Sequence, residues 1–257
     1  MKIAIIGTGN MGSAIAASLS DTQYQVICTV SSEATLHRIR EELPYTTVTT
    51  DNSQAVTDAD IVILAVKPRI AQSVLAEIKA HIRPGTTVLS IIAGLTVATL
   101  ATALDAASRN LSILRVIPNT AIRYRQSVTF IAPGNGVGND AIKTTVDIFS
   151  LSGAAFVIDE SQMSACTALA SCGIAYFLRF IRAAAQGAVE LGLKPDFATR
   201  VAALTAAGAA SLLAGGAHPE AEIDKVTTPG GLTIKGLNAL EDHGFTSAVI
   251  AALRASV

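Results

Sequence analysis

The stretch Lys2-Ile-Ala-Ile-Ile6, followed by Gly7-Thr8-Gly9-Asn10-Met11-Gly12, limits what this chain can fold into more than any other. A short apolar, β-branched run of this kind is a strand buried in a parallel sheet. The glycines follow at G-x-G-x-x-G spacing, and Ser13 to Leu19 continues as helix. In a strand–turn–helix each glycine has its own task. The first permits the tight turn, the second removes the Cβ that would block a pyrophosphate, and the third lets the helix pack closely on its strand. The helix N-terminus adds unpaired N–H groups and the positive end of a dipole. The unit predicts a dinucleotide site made by Gly7, Thr8, Gly9, Asn10, Met11 and Gly12. Spacing alone leaves open a tight turn that binds nothing.

The alternation of strand and helix continues. Strands are expected at Tyr24–Val30, Thr46–Thr49, Ile61–Val66, Thr87–Ile92 and Ser112–Ile117. Helices are expected at Ser32–Glu42, from Asp51 onward, at Ile70–Ile82 and at Val97–Leu104. This is the pattern of a doubly wound, mainly parallel sheet. It then loosens: a strand at Ser127–Ala132 has little before it, a helix covers Gly138–Leu151, and Ala154–Ile158 is the last strand. Beyond Glu160 only helical periodicity remains, over Ser161–Gly192, Pro195–Ala214, Pro219–Lys225, Leu232–Glu241 and Thr246–Ala255. The expectation is an α/β, Rossmann-type domain over residues 1–159 and an all-helical domain over 160–257.

Composition narrows the function. At 257 residues the chain is half hydrophobic, only 15% charged, and its mean hydropathy is +0.48. So much apolar surface with so little charge calls for a large core, a large subunit interface, or both. The net charge of −1 points to neither nucleic acid nor an anionic membrane. Cys28, Cys166 and Cys172 show no disulfide or metal spacing, and the four histidines are scattered, so no metal is expected and a reducing, cytoplasmic compartment is. Met163–Leu178 is almost uncharged, but it falls short of the roughly 20 strongly apolar residues of a membrane span and is closed by Arg179. It reads as a buried helix.

The end of the second strand selects among dinucleotides. NAD sites place an acid there for the ribose 2′-OH. Here the corner reads Thr29-Val30-Ser31-Ser32, with two hydroxyls able to donate to a 2′-phosphate. Glu33, slightly past the usual acid position, is either a displaced NAD-type acid or a first-turn residue favoured by the helix dipole. NADP(H) is expected to be preferred, with NAD(H) second. Arg38 is either a phosphate contact or a solvated helix charge. Three further loops leave strands at their carboxyl ends, where ligands bind in open α/β sheets. They are Ala65-Val66-Lys67-Pro68, Ala93-Gly94, and Val116-Ile117-Pro118-Asn119-Thr120. Together they suggest a cofactor floor, while Asn119, Lys67 and Arg115 each also admit a structural role. Late in the chain, Thr228-Pro229-Gly230-Gly231-Leu232-Thr233 feeds a helix whose free N–H groups suit a carboxylate, or simply caps it.

Taken together, these motifs resemble the pyrroline-5-carboxylate reductase family over nearly the whole chain. The residues that carry the resemblance are the Gly7–Gly12 loop, Ala65-Val-Lys-Pro68, Arg115-Val-Ile-Pro-Asn-Thr120 and, most specifically, Val226-Thr-Thr-Pro-Gly-Gly-Leu-Thr233, with Gly236–Phe245 extending it. One departure stands out: Ser171-Cys-Gly-Ile-Ala-Tyr176 occupies the place of the family's Gly-Ser-Gly-Pro-Ala-Tyr. The resemblance implies NADPH-dependent hydride transfer to the C=N of 1-pyrroline-5-carboxylate, giving L-proline in the last step of proline biosynthesis. It implies that Gly231 and Leu232 hold the substrate carboxylate, that Thr233 is the catalytic hydrogen-bonding residue near the ring nitrogen, and that Glu160 lines the same pocket. On the cofactor side it implies Gly7 to Gly12, Ser31, Asn52, Ala65 to Pro68, Ala93 and Asn119.

Three alternatives remain in view: a reductase of another small cyclic imine, a β-hydroxyacid dehydrogenase, and a non-catalytic dinucleotide-binding regulatory module. The dehydrogenases need a lysine on the long helix, and none occurs between Lys143 and Lys194. From Ser161 to Leu193 the only charges are Arg179, Arg182 and Glu190. A helix apolar nearly all round must be covered on every side, so a homodimer is expected. The dimer is expected to be obligate, with active sites that include residues from both chains, and the resemblance adds interleaved C-terminal helices and, in some members, rings of dimers.

Overall fold

The structure, a computed structural model, describes residues 1–257. Two compact units divide the chain, Met1–Thr167 and Ala168–Val257.

The first unit is built on one eight-stranded sheet. Its strands are β1 (Lys2–Ile6), β2 (Gln25–Thr29), β3 (Thr47–Thr49), β4 (Ile61–Leu64), β5 (Thr87–Ser90), β6 (Ser112–Ile117), β7 (Ser127–Pro133) and β8 (Gly153–Val157). The spatial order is β3-β2-β1-β4-β5-β6-β7-β8. All neighbours run parallel except β6 and β7. That one reversal has a simple cause. Only residues 118–126 separate β6 from β7, and a parallel crossover needs about a dozen or more. The link holds no more than a 3-10 turn at Thr120–Tyr124.

Helices cover both faces of the central strands, which explains why β1 and β4 are continuous apolar runs. Ile3 and Ile5 pack in one cluster with Ala14, Ile15 and Leu19 of α1 (Asn10–Leu19) and with Ile148 and Phe149 of α6 (Asn139–Ser150). Ala4 and Ile6 face the opposite cluster, with Val56 of α3 (Asn52–Val56), Leu75 of α4 (Pro68–Ile78) and Leu100 of α5 (Val97–Ala103). A further helix, α2 (Glu33–Glu42), follows β2. The chain winds outward from β1 to β3 and then, from β4, in the opposite direction. This places a topological switch point between β1 and β4, where such sheets open a crevice at the strands' carboxyl ends.

The segment expected as one helix from Ser161 to Gly192 is broken into pieces. A 3-10 turn at Glu160–Gln162 leads into α7 (Met163–Cys166), a π-helical stretch at Thr167–Cys172, and then α8 (Gly173–Glu190). Small and apolar residues fill the π stretch, so a wider turn leaves no mark on a 3.6-residue periodicity.

The second unit continues with α9 (Pro195–Leu212), α10 (Pro219–Val226), α11 (Leu232–Asp242) and α12 (Phe245–Arg254). The Tyr176 hydroxyl bonds to the Ala252 carbonyl at 3.3 Å and to Ser256, and Phe180 meets Phe245 edge-on at 6.2 Å. The helix expected to be buried is not. The stretch Glu160–Glu190 is long and apolar enough to cross a membrane by length and composition, yet only 11% of its most apolar window is buried within the chain. Phe177, Leu178 and Phe180 are 67, 60 and 45% exposed. An apolar composition reports that a helix must be covered, not that its own chain covers it.

Candidate active site

Each of the three glycines after β1 has a distinct geometry. Gly7 has φ +94, a backbone that suits glycine, and a Cβ there would meet Val66 Cγ1 at 2.7 Å. A Cβ on Gly12 would lie 2.2 Å from the Gly7 carbonyl oxygen, so α1 packs against the turn with no room for a methyl group. At Gly9 a Cβ would find nothing within 4 Å. That open space lies at the N-terminus of α1, where Gly9 is the N-cap and no side chain bonds to the free N–H groups. The cradle fits a pyrophosphate.

The loop is tied to the end of β2. Gly7 N–H donates to Thr29 Oγ1 at 3.1 Å, and Thr8 donates to the Thr29 carbonyl through both its N–H and its hydroxyl at 2.8 Å. Thr8 is thus buried scaffold, while Gly9 and Asn10 are exposed. Beneath them, burial pushes the Cys28 thiol up to about 12, against a smaller lowering by its hydrogen bond to Thr8. It is a packing residue.

At the β2 corner Ser31 is exposed and makes no hydrogen bond within the chain. Ser32 is the N-cap of α2, its oxygen accepting from Thr35 N–H at 3.3 Å. Arg38 pairs with Glu42 at 2.7 Å, an exposed i,i+4 contact of little energetic weight. Asn52 opens α3, and its amide donates to Glu77 Oε2 at 3.1 Å.

Three more loops end at the same sheet edge. Ala65 N–H donates to the Ile6 carbonyl, joining the β4 loop to β1 across the switch point. Lys67 is the exposed N-cap of α4 and Pro68 its first residue, where the missing N–H costs nothing. Ala93 and Gly94 are exposed after β5. Asn119 is buried: its Oδ1 accepts from Ala121 N–H at 3.1 Å, and its own N–H donates to Ser127 Oγ at 3.2 Å. That oxygen caps the 3-10 turn. Glu160 follows β8, and its Oε1 accepts from both Arg115 Nη1 and Val97 N–H, each at 2.9 Å.

The second unit carries the other predicted group. Gly230 turns the chain at φ +72, and Gly231 N–H closes the turn on the Thr228 carbonyl at 2.9 Å. Gly231 is then the N-cap of α11, with no side-chain cap. Leu232 is 87% exposed, and the exposed Thr233 hydroxyl has no partner within the chain. The first unit therefore carries Gly7 to Gly12, Ser31, Ala65 to Pro68, Ala93 and Asn119 on loops that leave β1, β2, β4, β5 and β6 at one edge of the sheet, with Asn52 at the start of α3 after β3. Glu160 comes instead off β8, which runs the other way, and is joined to β6 and α5 through Arg115 and Val97. The second unit holds Gly231 to Thr233. Sequence reasoning missed the Arg115–Glu160–Val97 network and the Glu77 partner of Asn52. Separations of 45, 63 and 25 residues leave no local pattern to find. No group of three or more His, Cys, Asp or Glu side chains is close enough to hold a metal.

An open glycine cradle at the switch point of a doubly wound sheet, a second strand without a terminal acid, and a following all-helical unit define a nicotinamide-dinucleotide oxidoreductase of the Rossmann type. Comparison with known proteins narrows the class. Residues 2–94 match the family model described as NADP oxidoreductase, coenzyme F420-dependent, and residues 160–257 match pyrroline-5-carboxylate reductase dimerisation. The chain is 38% identical over 264 residues to the pyrroline-5-carboxylate reductase of Methanosarcina acetivorans, covering 99% of this chain and 95% of that one. It is 39% identical over 264 residues to pyrroline-5-carboxylate reductase 1 of Dictyostelium discoideum, covering 96% of this chain but spanning only 47% of that longer protein. A crystal structure of Plasmodium falciparum pyrroline carboxylate reductase with NADP bound superposes with a TM-score of 0.88 at 26% identity, over 100% of this chain and 95% of the other. The chain belongs to the pyrroline-5-carboxylate reductase family.

Proposed function

We propose that this chain reduces 1-pyrroline-5-carboxylate to L-proline with NADPH, the last step of proline biosynthesis. The observation that carries the reading is the bare N-terminus of α11 behind Pro229-Gly230-Gly231, in the same chain as the open cradle at Gly9. One suits a carboxylate and the other a pyrophosphate.

When bound, the reduced nicotinamide supplies the hydride. Gly7 to Gly12 hold the pyrophosphate against the N-terminus of α1. Ser31 takes the 2′-phosphate at a corner without an acid, so NADP(H) is preferred and NAD(H) is second. Asn52, Ala65 to Pro68 and Asn119 complete the cofactor side, and Ala93 leaves room for the nicotinamide ring. The backbone N–H groups of Gly231 and Leu232 hold the substrate carboxylate. The Thr233 hydroxyl is the catalytic contact beside the imine nitrogen, and Glu160 lines the pocket. A protonated imine already has an electrophilic carbon; accepting a hydride there leaves a neutral secondary amine, which then takes its second proton from water. No strong acid is needed, and orientation supplies most of the acceleration.

The boundary at residue 159 separates these tasks, with 1–159 binding the dinucleotide and 160–257 serving substrate and dimerisation. The start of the dimerisation match at residue 160 supports it. A second copy covers the apolar face of α8 to make a homodimer, and Arg179 and Arg182 on that helix weigh against a bilayer. Apolar residues still exposed beyond α8, such as Phe197 and Leu204, support a further assembly of dimers. The free thiols of Cys28, Cys166 and Cys172 support a cytoplasmic location.

The test is direct. Purified chain is mixed with 1-pyrroline-5-carboxylate and either NADPH or NADH, and the loss of the dihydronicotinamide absorbance is followed. Substrate-dependent oxidation, faster with NADPH, is expected. No such oxidation with either cofactor would overturn the reading.

A further inference from the structure

Arg115 has no part in the function described so far, although its side chain is only 14% exposed. It lies on β6 with Ser90 of β5 on one side and Ala132 of β7 on the other, two residues before the strand's carboxyl end. We propose that Arg115 is a positioning residue of the reductase, acting through the Glu160 carboxylate on the loop after β5. The proposal rests on the reductase reading above.

One oxygen carries the arrangement. Glu160 Oε1 accepts from Arg115 Nη1 and from Val97 N–H, both at 2.9 Å. Val97 is the first residue of α5, where the N–H has no partner within the helix. Thr96 caps the same helix by accepting from Thr99 N–H at 3.1 Å, so Glu160 supplies from outside what the local cap does not reach. The loop between β5 and α5 is therefore held at both ends. Ile92 N–H donates to Ser90 Oγ at 3.3 Å at its start, and Val97 N–H donates to Glu160 at its finish. Ala93 and Gly94 form the exposed tip between them.

Two consequences follow from charge. Glu160 is anchored through one oxygen only, so Oε2 stays without a partner within the chain and its direction is set by Arg115. An unpaired guanidinium at this edge of the sheet would also be a second anion site, competing for the carboxylate of the substrate. Pairing with Glu160 closes it. The pyrophosphate and 2′-phosphate sites, by contrast, are built on β1 and β2, on the far side of β4 from this network.

A double-mutant cycle tests the idea. Arg115→Met is expected to lower kcat/KM for 1-pyrroline-5-carboxylate about tenfold or more while NADPH Kd stays within about threefold, and Arg115→Lys to recover much of the loss. Glu160→Gln is expected to lose activity as well. If Arg115 acts through Glu160, the Arg115→Met/Glu160→Gln enzyme is no worse than the poorer single variant. Losses that multiply, or an Arg115→Met enzyme within about twofold of wild type, would overturn the proposal. Circular dichroism establishes folding, and should Arg115→Met fail to fold, the cycle of Arg115→Lys with Glu160→Gln reads the same coupling. An active wild type with multiplicative losses removes this inference alone. An inactive wild type removes the reductase reading and this inference with it.

Discussion

Gly9 and Gly12 lie three residues apart in one loop, yet their replacement by alanine should have opposite consequences. At Gly9 a Cβ has nothing within 4 Å, and the backbone at φ −79 and ψ −162 is open to any residue. Alanine is a poorer N-cap than glycine by roughly 0.5–1 kcal/mol. Loss of glycine's freedom in the unfolded chain returns roughly 0.4–1 kcal/mol. The two nearly cancel, so Gly9→Ala should change Tm by less than about 4 °C. Under the function proposed above, the new methyl group enters the space the pyrophosphate takes. Losing a single N–H bond to a charged oxygen there costs about 1.5–3 kcal/mol, a rise of roughly 10- to 100-fold in NADPH Kd. At Gly12 the added Cβ would stand 2.2 Å from a backbone oxygen, and neither α1 nor the turn can yield cheaply. Overpacking of this kind costs about 1–3 kcal/mol, a drop of roughly 2–12 °C in Tm. Thermal melts without ligand and NADPH fluorescence titrations separate the two. Wild-type NADPH affinity in Gly9→Ala, or a loss of stability equal to that of Gly12→Ala, would refute the reasoning.

Other outcomes can be checked in the same way. Ser31→Asp should reduce kcat/KM with NADPH far more than with NADH by repelling the 2′-phosphate, and steady-state kinetics with both cofactors will show it. Thr233→Ala should lower kcat/KM for the imine roughly two- to tenfold with NADPH Kd unchanged, as expected for one lost hydrogen bond; an unchanged rate would reduce Thr233 to a helix-end residue. Cys28 favours the neutral thiol in the fold, its pKa rising from 9.0 to about 12. Between those values the unfolded chain is ionised and the folded one is not, so stability falls with rising pH by about 1.4 kcal/mol per unit, and Cys28→Ala should remove that slope in alkaline urea melts. Sedimentation at low micromolar concentration should give a dimer; a stable, fully active monomer would leave the exposed face of α8 unexplained.

Local pattern made the first unit legible. The apolar runs that became β1 and β4 are uninterrupted because helices cover both of their faces, and the Ser32 and Asp51 caps mark the starts of α2 and α3 within a residue. The antiparallel direction of β7 was legible too, since the short link after Ile117 allows nothing else, although the sequence reading did not draw it. The strand order follows from packing, and part of what stayed hidden depends on residues far apart in the chain. The Arg115–Glu160 bond joins residues 45 apart, so neither side chain betrays the other. The π stretch at Thr167–Cys172 lies in a run without polar rhythm, where a widened turn changes no pattern. For α8, composition demanded cover and pointed to a second copy of the chain, in keeping with the dimerisation match over residues 160–257. The reading of Met163–Leu178 as a buried helix does not hold for the single chain, because Phe177 and Leu178 face outward from a unit too small to enclose them.

The helix starts of both units can be compared by one physical device. Every helix leaves its first N–H groups without partners, and a chain can answer with a capping side chain, an early acid, a proline or a ligand. Ser32, Asp51, Thr96 and His218 accept from the backbone at α2, α3, α5 and α10. Asp140 and Asp196 lie in the first turns of α6 and α9. Among helices of eight or more residues, α1, α4, α8, α11 and α12 have neither a side-chain cap nor an acid in the first turn. Of these, α8 continues from the π stretch and has no free start. α1 and α4 begin at the carboxyl ends of β1 and β4, the two strands flanking the switch point. α11 begins at Gly231. α12 begins at Gly244, whose φ of +74 suits the turn that closes α11. At Gly9 a side chain has room, so an acid or a strong cap there would serve the helix and exclude an anion. At Gly231 a Cβ would stand 2.5 Å from Thr228 Oγ1, so the turn itself requires glycine. Under the function proposed above, both starts leave their N–H groups to a ligand, phosphate at α1 and carboxylate at α11.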